Sequence, residues 1–301
     1  MKILVTGSNG QLGSEIKELI DNTDQVRNDG LEFIFTDSKS LDITDHNAVE
    51  KFIIDNDIKI IINCAAYTAV DKAETDFDMA NNINHLAVAN IATIAKKYHI
   101  RFIHISTDYV FDGENYKPYV EPDITNPQSV YGKTKLDGEL AIKSIAPKNA
   151  IIIRTSWVYS YYGNNFVKTM LRLGKERDSL GVIFDQVGTP TYAKDLAKAI
   201  LDIIKFGDFS VKHENGSCSV EVYNFSNEGV VSWYDFAKEI MTIANIDCIL
   251  NPIETIEYPT PVKRPYYSLL NKKKIKEDYN IKIPYWKDSL MDCIKRLQED
   301  L

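Results

Sequence analysis

The chain has 301 residues, 44% of them hydrophobic, and a formal net charge of −8, which suits one large domain with a smaller appendage. No Lys/Arg run is denser than Lys272–Lys274, so the acidic balance speaks against a nucleic-acid partner. Cys64, Cys218, Cys248 and Cys293 are scattered without a CxxC pair or histidine spacing, which speaks against zinc and a disulfide framework and fits a reducing cytoplasm.

In chain order, short β-branched runs alternate with helical patterns through the first half. KILVTG reads as a strand, leaving no room for an export signal before it, and a helix follows from Gln11 to Asp21. EFIFTD is the second strand, with a helix from Asp45 to Asn56. KIIINCAA is the third, with a long helix over Ala80 to Tyr98. RFIHIST is the fourth, followed by a helix carrying Lys135, and AIIIRTSWVY is the fifth. Nearly all-apolar strands alternating with helices predict an α/β, doubly wound parallel sheet (Rossmann) covered on both faces.

After Trp157 the pattern loosens. SYYGNNFVKTMLRLGKE reads as an aromatic loop and a helix, VIFDQVGTPTY as a strand and turn, Lys194 to Lys205 as a helix, and EVYNFS as a strand rejoining the sheet. From Trp233 onward, helices and proline-marked loops predict a smaller, mostly helical substrate-binding domain. The expected division is 1–155 for the dinucleotide, with 183–226 partly returning to it, and 156–182 plus 227–301 for substrate. His213–Ser219 is the candidate exposed loop. No apolar run of about 18 residues predicts a membrane span.

TGSNGQLG places glycines at 7, 10 and 13. Gly7, Gly10 and Gly13 allow a tight turn out of the strand, close backbone approach to a pyrophosphate and close helix packing. Free N–H groups around Gly10, Gln11 and Leu12 would face the phosphates at the positive end of the helix. Asp37, ending the second strand, is placed for the adenosine ribose or, alternatively, as a turn cap. Its charge favours NADH, whereas Ser38, Lys39 and Ser40 could accept a 2′-phosphate; the cofactor is NADPH or NADH.

Tyr131 and Lys135 are four apart in SVYGKTKLDGE, and so share a helix face. An ammonium beside the phenol would lower the tyrosine pKa and suit it to proton exchange with a carbonyl. Ser106 to Tyr109 end the fourth strand, at the sheet edge where ligands of such folds bind. Thr107 is preferred over Ser106 as the donor to the substrate oxygen.

TGSNGQLG, NCAAYT, STDYVFDG, YGKTK and DQVGTPTYAKDLA resemble the extended short-chain dehydrogenase/reductases, and within them the dTDP-4-dehydrorhamnose reductases. The likeness runs from Met1 to about Leu201 and more loosely through RPYYSLLNKKKI. The resemblance implies reduction at C4 of dTDP-4-dehydro-6-deoxy-L-mannose to dTDP-L-rhamnose, with Tyr131 as proton donor, Lys135 on the nicotinamide ribose and Thr107 on the carbonyl. It implies that Gly10, Gln11 and Leu12 cover the pyrophosphate, Asp37 faces the adenosine ribose, Asp42 and Ile43 flank the adenine, and Ala65, Ala66 and Tyr67 line the cofactor. Asp108, Tyr109 and Trp157 would contact the sugar nucleotide. Arg264 is a candidate for the diphosphate, with Lys263 or a plain surface role as alternatives.

Some members of this group form dimers through magnesium held by glutamates, with Glu15 at the corresponding early position. A solvated helix glutamate is the reading adopted, and no metal is expected. A monomer or homodimer acting on a nucleotide sugar is expected. A dehydratase is disfavoured because no glutamate follows Thr107-Asp108. An epimerase or reductase of another deoxysugar, or a regulatory subunit resembling the methionine adenosyltransferase beta subunit, are the alternatives.

Overall fold

A computed structural model describes residues 1–22, 30–147, 149–206 and 220–299; the candidate loop His213–Ser219 lies outside the described residues. The chain is an α/β protein built on one parallel six-stranded sheet. Its strands are β1 (Lys2–Thr6), β2 (Glu32–Thr36), β3 (Ile58–Asn63), β4 (Arg101–Thr107), β5 (Ala150–Thr155) and a last strand, Glu221–Phe225. The spatial order is β2-β1-β3-β4-β5 and then Glu221–Phe225. EVYNFS thus does rejoin the sheet, parallel to β5.

Side chains alternate between the two faces of a strand, and here both faces are apolar. Ile3, Val5, Ile60, Ile62, Ile151 and Ile153 project to one side, against Leu12 and Ile16 of helix Gln11–Asp21 and Leu196 and Ile200 of helix Ala193–Phe206. Leu4, Ile61, Phe102 and Ile152 project to the other, against Val49, Ile53, Val88, Ile91 and Ile142. Each such buried side chain contributes about 1.5–3 kcal/mol relative to exposure.

The helix expected over Ala80 to Tyr98 starts earlier, at Phe77, and passes through a widened π turn at Asn82–Leu86 before continuing as Ala87–Lys97. That turn carries buried Asn84, whose oxygen accepts from Tyr67 N at 2.9 Å and whose nitrogen donates to Tyr67 O at 3.1 Å and Thr134 Oγ1 at 3.2 Å. The loop leaving β3 is thereby tied to helix Val130–Ile145.

A separate apolar cluster joins Tyr159, Val167, Met170, Phe236, Ile240, Leu290 and Ile294. Besides helices, this part contains short ladders, the longest being Ser179–Ile183 parallel to Ile249–Ile253. The second of these strands contains Pro252 and reads as loop in the sequence. A two-stranded ladder tolerates proline because one edge needs no donor. Among the described residues no helix is long and apolar enough to cross a membrane.

Candidate active site

The chain leaves β1 for β2 on one side and reaches β3 on the other. The crevice at such a switch point, beyond the carboxyl ends of the strands, is where doubly wound sheets bind ligands. A cleft of about 530 Å³ opens there. It is lined by Gly10, Gln11 and Leu12 after β1, Cys64 and Ala66 after β3, Thr107, Asp108 and Tyr109 after β4, Tyr131 and Lys135 from helix Val130–Ile145, and Trp157 and Val158 after β5.

Helix Gln11–Asp21 begins at Gly10 with no side-chain cap and no acidic residue in its first turn, so its leading N–H groups and positive dipole end suit a diphosphate. Gly7 sits at φ +68°, and a Cβ there would lie 2.7 Å from Ala65 N. Only glycine lets the turn lie this close to the β3 exit. Gly13 sits behind the turn, against Ser8. The donor set and the cradle fit a dinucleotide.

Asp37 lies at the β2 exit with its carboxylate heavily engaged. Its Oδ1 accepts from Ser40 N at 2.9 Å, Lys39 N at 3.0 Å and Ser40 Oγ at 2.8 Å, and its Oδ2 accepts from Asn9 Nδ2 at 2.6 Å. Donation from Ser40 above all holds this carboxyl below its ordinary value. Asp37 therefore caps its own turn and links it to the glycine loop through Asn9. Nearby Asp42 is likewise engaged, accepting from Thr44 N at 2.9 Å, and Ile43 is buried in the core. Ala65 backs the glycine turn, and the Tyr67 phenol turns to Asp76 Oδ2 at 3.1 Å; neither is among the cleft-lining residues.

Helix Val130–Ile145 starts where Ser129 Oγ accepts from Gly132 N at 3.0 Å. A Cβ on Gly132 would fall 2.3 Å from Tyr109 O, so this glycine admits the helix end against the β4 exit and brings Tyr131 beside Thr107. The half-buried Tyr131 phenol meets the Thr107 hydroxyl, while burial pushes its pKa up. Thr107 Oγ1 also donates to Asp108 Oδ1 at 3.0 Å and accepts from Tyr109 N at 3.2 Å. Ser106 points elsewhere, to Glu139 Oε1 at 2.5 Å, because adjacent strand residues face opposite sides. Asp108 is buried, which pushes its carboxyl up to about 6 against the pull of the Ser268 and Thr107 hydroxyls.

Lys135 departs from expectation. Its Nζ donates to Ile105 O at 2.6 Å and faces His104 Nε2 at 3.3 Å, while burial above all holds the Tyr131 phenol above its ordinary value. The phenol is therefore not acidified in the free protein, because burial outweighs the Thr107 hydrogen bond that pulls it down. Burial pushes Lys135 down to about 8, opposed by Glu139.

Trp157, at φ +49°, lines the cleft and stacks on Trp233 with centroids 3.6 Å apart. Arg264 reaches Asp71 Oδ2 at 2.6 Å and the Tyr109 hydroxyl at 3.3 Å, so it is anchored beside the site rather than free on the surface. Glu15 contradicts the solvated reading: it is fully buried, accepting from Ser160 Oγ at 2.6 Å and Arg296 Nη1 at 3.2 Å. Helix Trp286–Glu299, which carries Arg296, closes over it. Sequence reasoning missed Thr68, Val70, Gly163, Asn164 and Leu196, which also line the cleft. Of these only the Gly163-Asn164 pair carried a turn signal.

Residues 1–299 match the family described as RmlD substrate binding domain. The chain is 41% identical over 298 residues to dTDP-4-dehydrorhamnose reductase of Aggregatibacter actinomycetemcomitans, covering 96% of this chain and 97% of that protein. It superposes with a TM-score of 0.88 on the dTDP-4-dehydrorhamnose reductase structure from Clostridium acetobutylicum, at 44% identity and covering 99% and 100% of the two chains. The Bacillus anthracis reductase in complex with NADP gives the same TM-score at 35% identity, covering 98% and 99%.

Proposed function

The chain belongs to the RmlD substrate binding domain family, and from that premise we propose how its cleft carries out the NAD(P)H-dependent reduction of dTDP-4-dehydro-6-deoxy-L-mannose to dTDP-L-rhamnose. It is an oxidoreductase of dTDP-rhamnose biosynthesis. The observation that carries the reading is the convergence of Thr107, Asp108, Tyr131 and Lys135 on one cleft with the uncapped helix start at Gly10.

A reduced nicotinamide bound here supplies the hydride that ends on C4 of the sugar. Gly10, Gln11 and Leu12 hold its diphosphate through backbone N–H groups, and Asp37 meets the adenosine ribose. Tyr131 gives its proton to the C4 oxygen. The raised pKa keeps that proton in place at neutral pH until negative charge develops on the oxygen. Thr107 donates to the same oxygen, and Lys135 holds the nicotinamide ribose.

Asp108, Tyr109 and Trp157 contact the sugar nucleotide, and Arg264 offers its guanidinium to the diphosphate. Residues 1–155 with 183–226 serve the dinucleotide, and 156–182 with 227–301 serve the substrate. Cys64, Cys248 and Cys293 are free thiols, which suits a cytoplasmic setting. The protein acts as a monomer or homodimer.

The test is loss of reduced-nicotinamide absorbance when the protein meets NADPH or NADH and dTDP-4-dehydro-6-deoxy-L-mannose. UDP-linked and epimeric keto-sugars are the controls. Oxidation only with the dTDP sugar is expected. No oxidation with either cofactor, or faster turnover of a UDP-linked sugar, would overturn the reading.

A further inference from the structure

Thr6, Asn63 and His104 are register partners on β1, β3 and β4, and all three are buried. Partners on neighbouring parallel strands point the same way, so their side chains form one buried rung across three strands of the sheet. Thr6 Oγ1 donates to Asn63 Oδ1 at 2.6 Å, Asn63 Nδ2 faces His104 Nδ1 at 3.2 Å, and His104 Nε2 faces Lys135 Nζ at 3.3 Å. The rung ends on a residue placed at the reacting centre, yet none of its three members has a part in the chemistry above.

Donor accounting gives the rung two states. Burial above all, and then Lys135, hold His104 well below its ordinary value, so the ring is neutral, with one N–H and one lone pair. If Lys135 is an ammonium, Nε2 must accept, the ring proton sits on Nδ1, and Asn63 must turn its oxygen to the ring. If Lys135 is a neutral amine, Nε2 carries the proton and donates to Nζ, while Nδ1 accepts from the Asn63 amide nitrogen. The structure holds Asn63 in the second orientation. Thr6 Oγ1 donates to Asn63 Oδ1 while Asn63 Nδ2 faces the ring, so the oxygen of Asn63 lies on the Thr6 side.

We propose that the Thr6–Asn63–His104 rung is a positioning element that couples the protonation of Lys135 to the tautomer of His104, with the Thr6 hydroxyl favouring the arrangement in which Lys135 is a neutral amine. One proton leaves for solvent as the cluster crosses between states, and the imidazole stays neutral, exchanging an Nδ1 proton for one on Nε2. The groups that act on Lys135 are His104 from β4, Cys64 from the β3 exit, a thiol that burial pushes up to about 12, and Glu139 from its own helix. Glu139 is committed to Arg154 at 2.7 Å. His104 is thus the neighbour free to change with Lys135.

The consequence for turnover rests on the role given to Lys135 above; the coupling itself does not. The experiment uses the full chain without cofactor or substrate, labelled with 15N-histidine, and follows the ring nitrogens through two-bond correlations from pH 6 to 10. His104 is expected to pass from Nδ1–H to Nε2–H with a midpoint near 8, where Lys135 titrates, without an imidazolium signal. In Thr6→Val the midpoint moves up by about half a pH unit, the linked equivalent of one net hydrogen bond, and Thr6→Ser restores it. A His104 that keeps one tautomer, that becomes imidazolium in this range, or whose midpoint is unmoved in Thr6→Val overturns the proposal. None of these outcomes depends on whether the protein reduces a sugar nucleotide.

Discussion

Arg154 and Glu139 form a two-pronged ion pair in which both side chains are sealed from solvent: Nε donates to Oε1 at 2.9 Å and Nη2 to Oε2 at 2.7 Å. Ser106 donates to the same carboxylate, and the Arg154 guanidinium lies 4.9 Å over the Phe111 ring. The pair joins β5 and the end of β4 to helix Val130–Ile145, and so fixes Thr107 against Tyr131. Glu139→Gln strands a buried guanidinium and should lower stability by about 3 kcal/mol, read by urea unfolding. A loss under about 1 kcal/mol would mean that the pair holds nothing that packing does not.

Tyr131→Phe removes the ionisable hydroxyl proposed to protonate the sugar oxygen and leaves the ring in place. Turnover is expected to fall roughly 10²-fold or more, the scale of general acid catalysis, with cofactor affinity nearly unchanged by fluorescence titration. Near-normal turnover would move the proton donor elsewhere, with Asp108 the first candidate because its carboxyl is pushed up to about 6.

Asp37→Ala deletes the acceptor for Asn9, Lys39 and Ser40. Those donors become available to a 2′-phosphate while the repelling charge disappears. The ratio of kcat/KM for NADPH to that for NADH should rise about tenfold, the worth of one charge-assisted hydrogen bond. An unchanged ratio would leave the carboxylate with only its turn-capping duty.

The sheet was legible because its strands are buried on both sides: Ile60, Ile61 and Ile62 cannot be half-exposed, and a strand apolar at every position belongs in the middle of a covered sheet. The cleft was legible where backbone conformation demands a residue type, as at Gly7. What escaped was set by tertiary distance. Ile249–Ile253 carries no strand signal until Ser179–Ile183 lies beside it. The position of the Lys135 amine depends on Ile105 O and His104, which helical spacing to Tyr131 says nothing about. Glu15 reads as a surface acid because its neutralising partner, Arg296, is 281 residues away.

That last pair yields a pH-dependent prediction. Glu15 is pushed up by burial, with Ser160 and then Arg296 pulling it back down. Arg296→Met removes part of that pull, so the folded-state pKa of Glu15 climbs further above its unfolded value. A carboxyl raised in the folded state costs stability above that raised pKa and nothing below the unfolded one. The loss should therefore be about 3 kcal/mol at pH 7 and shrink towards pH 4, followed by urea unfolding at both. Arg296 also donates to the Tyr192 hydroxyl at 2.8 Å and lies 4.8 Å over the Tyr161 ring, contacts that no carboxyl titration touches. A destabilisation of equal size at both pH values would assign the role of Arg296 to those contacts, and the charge of Glu15 would have no part in holding the C-terminal helix.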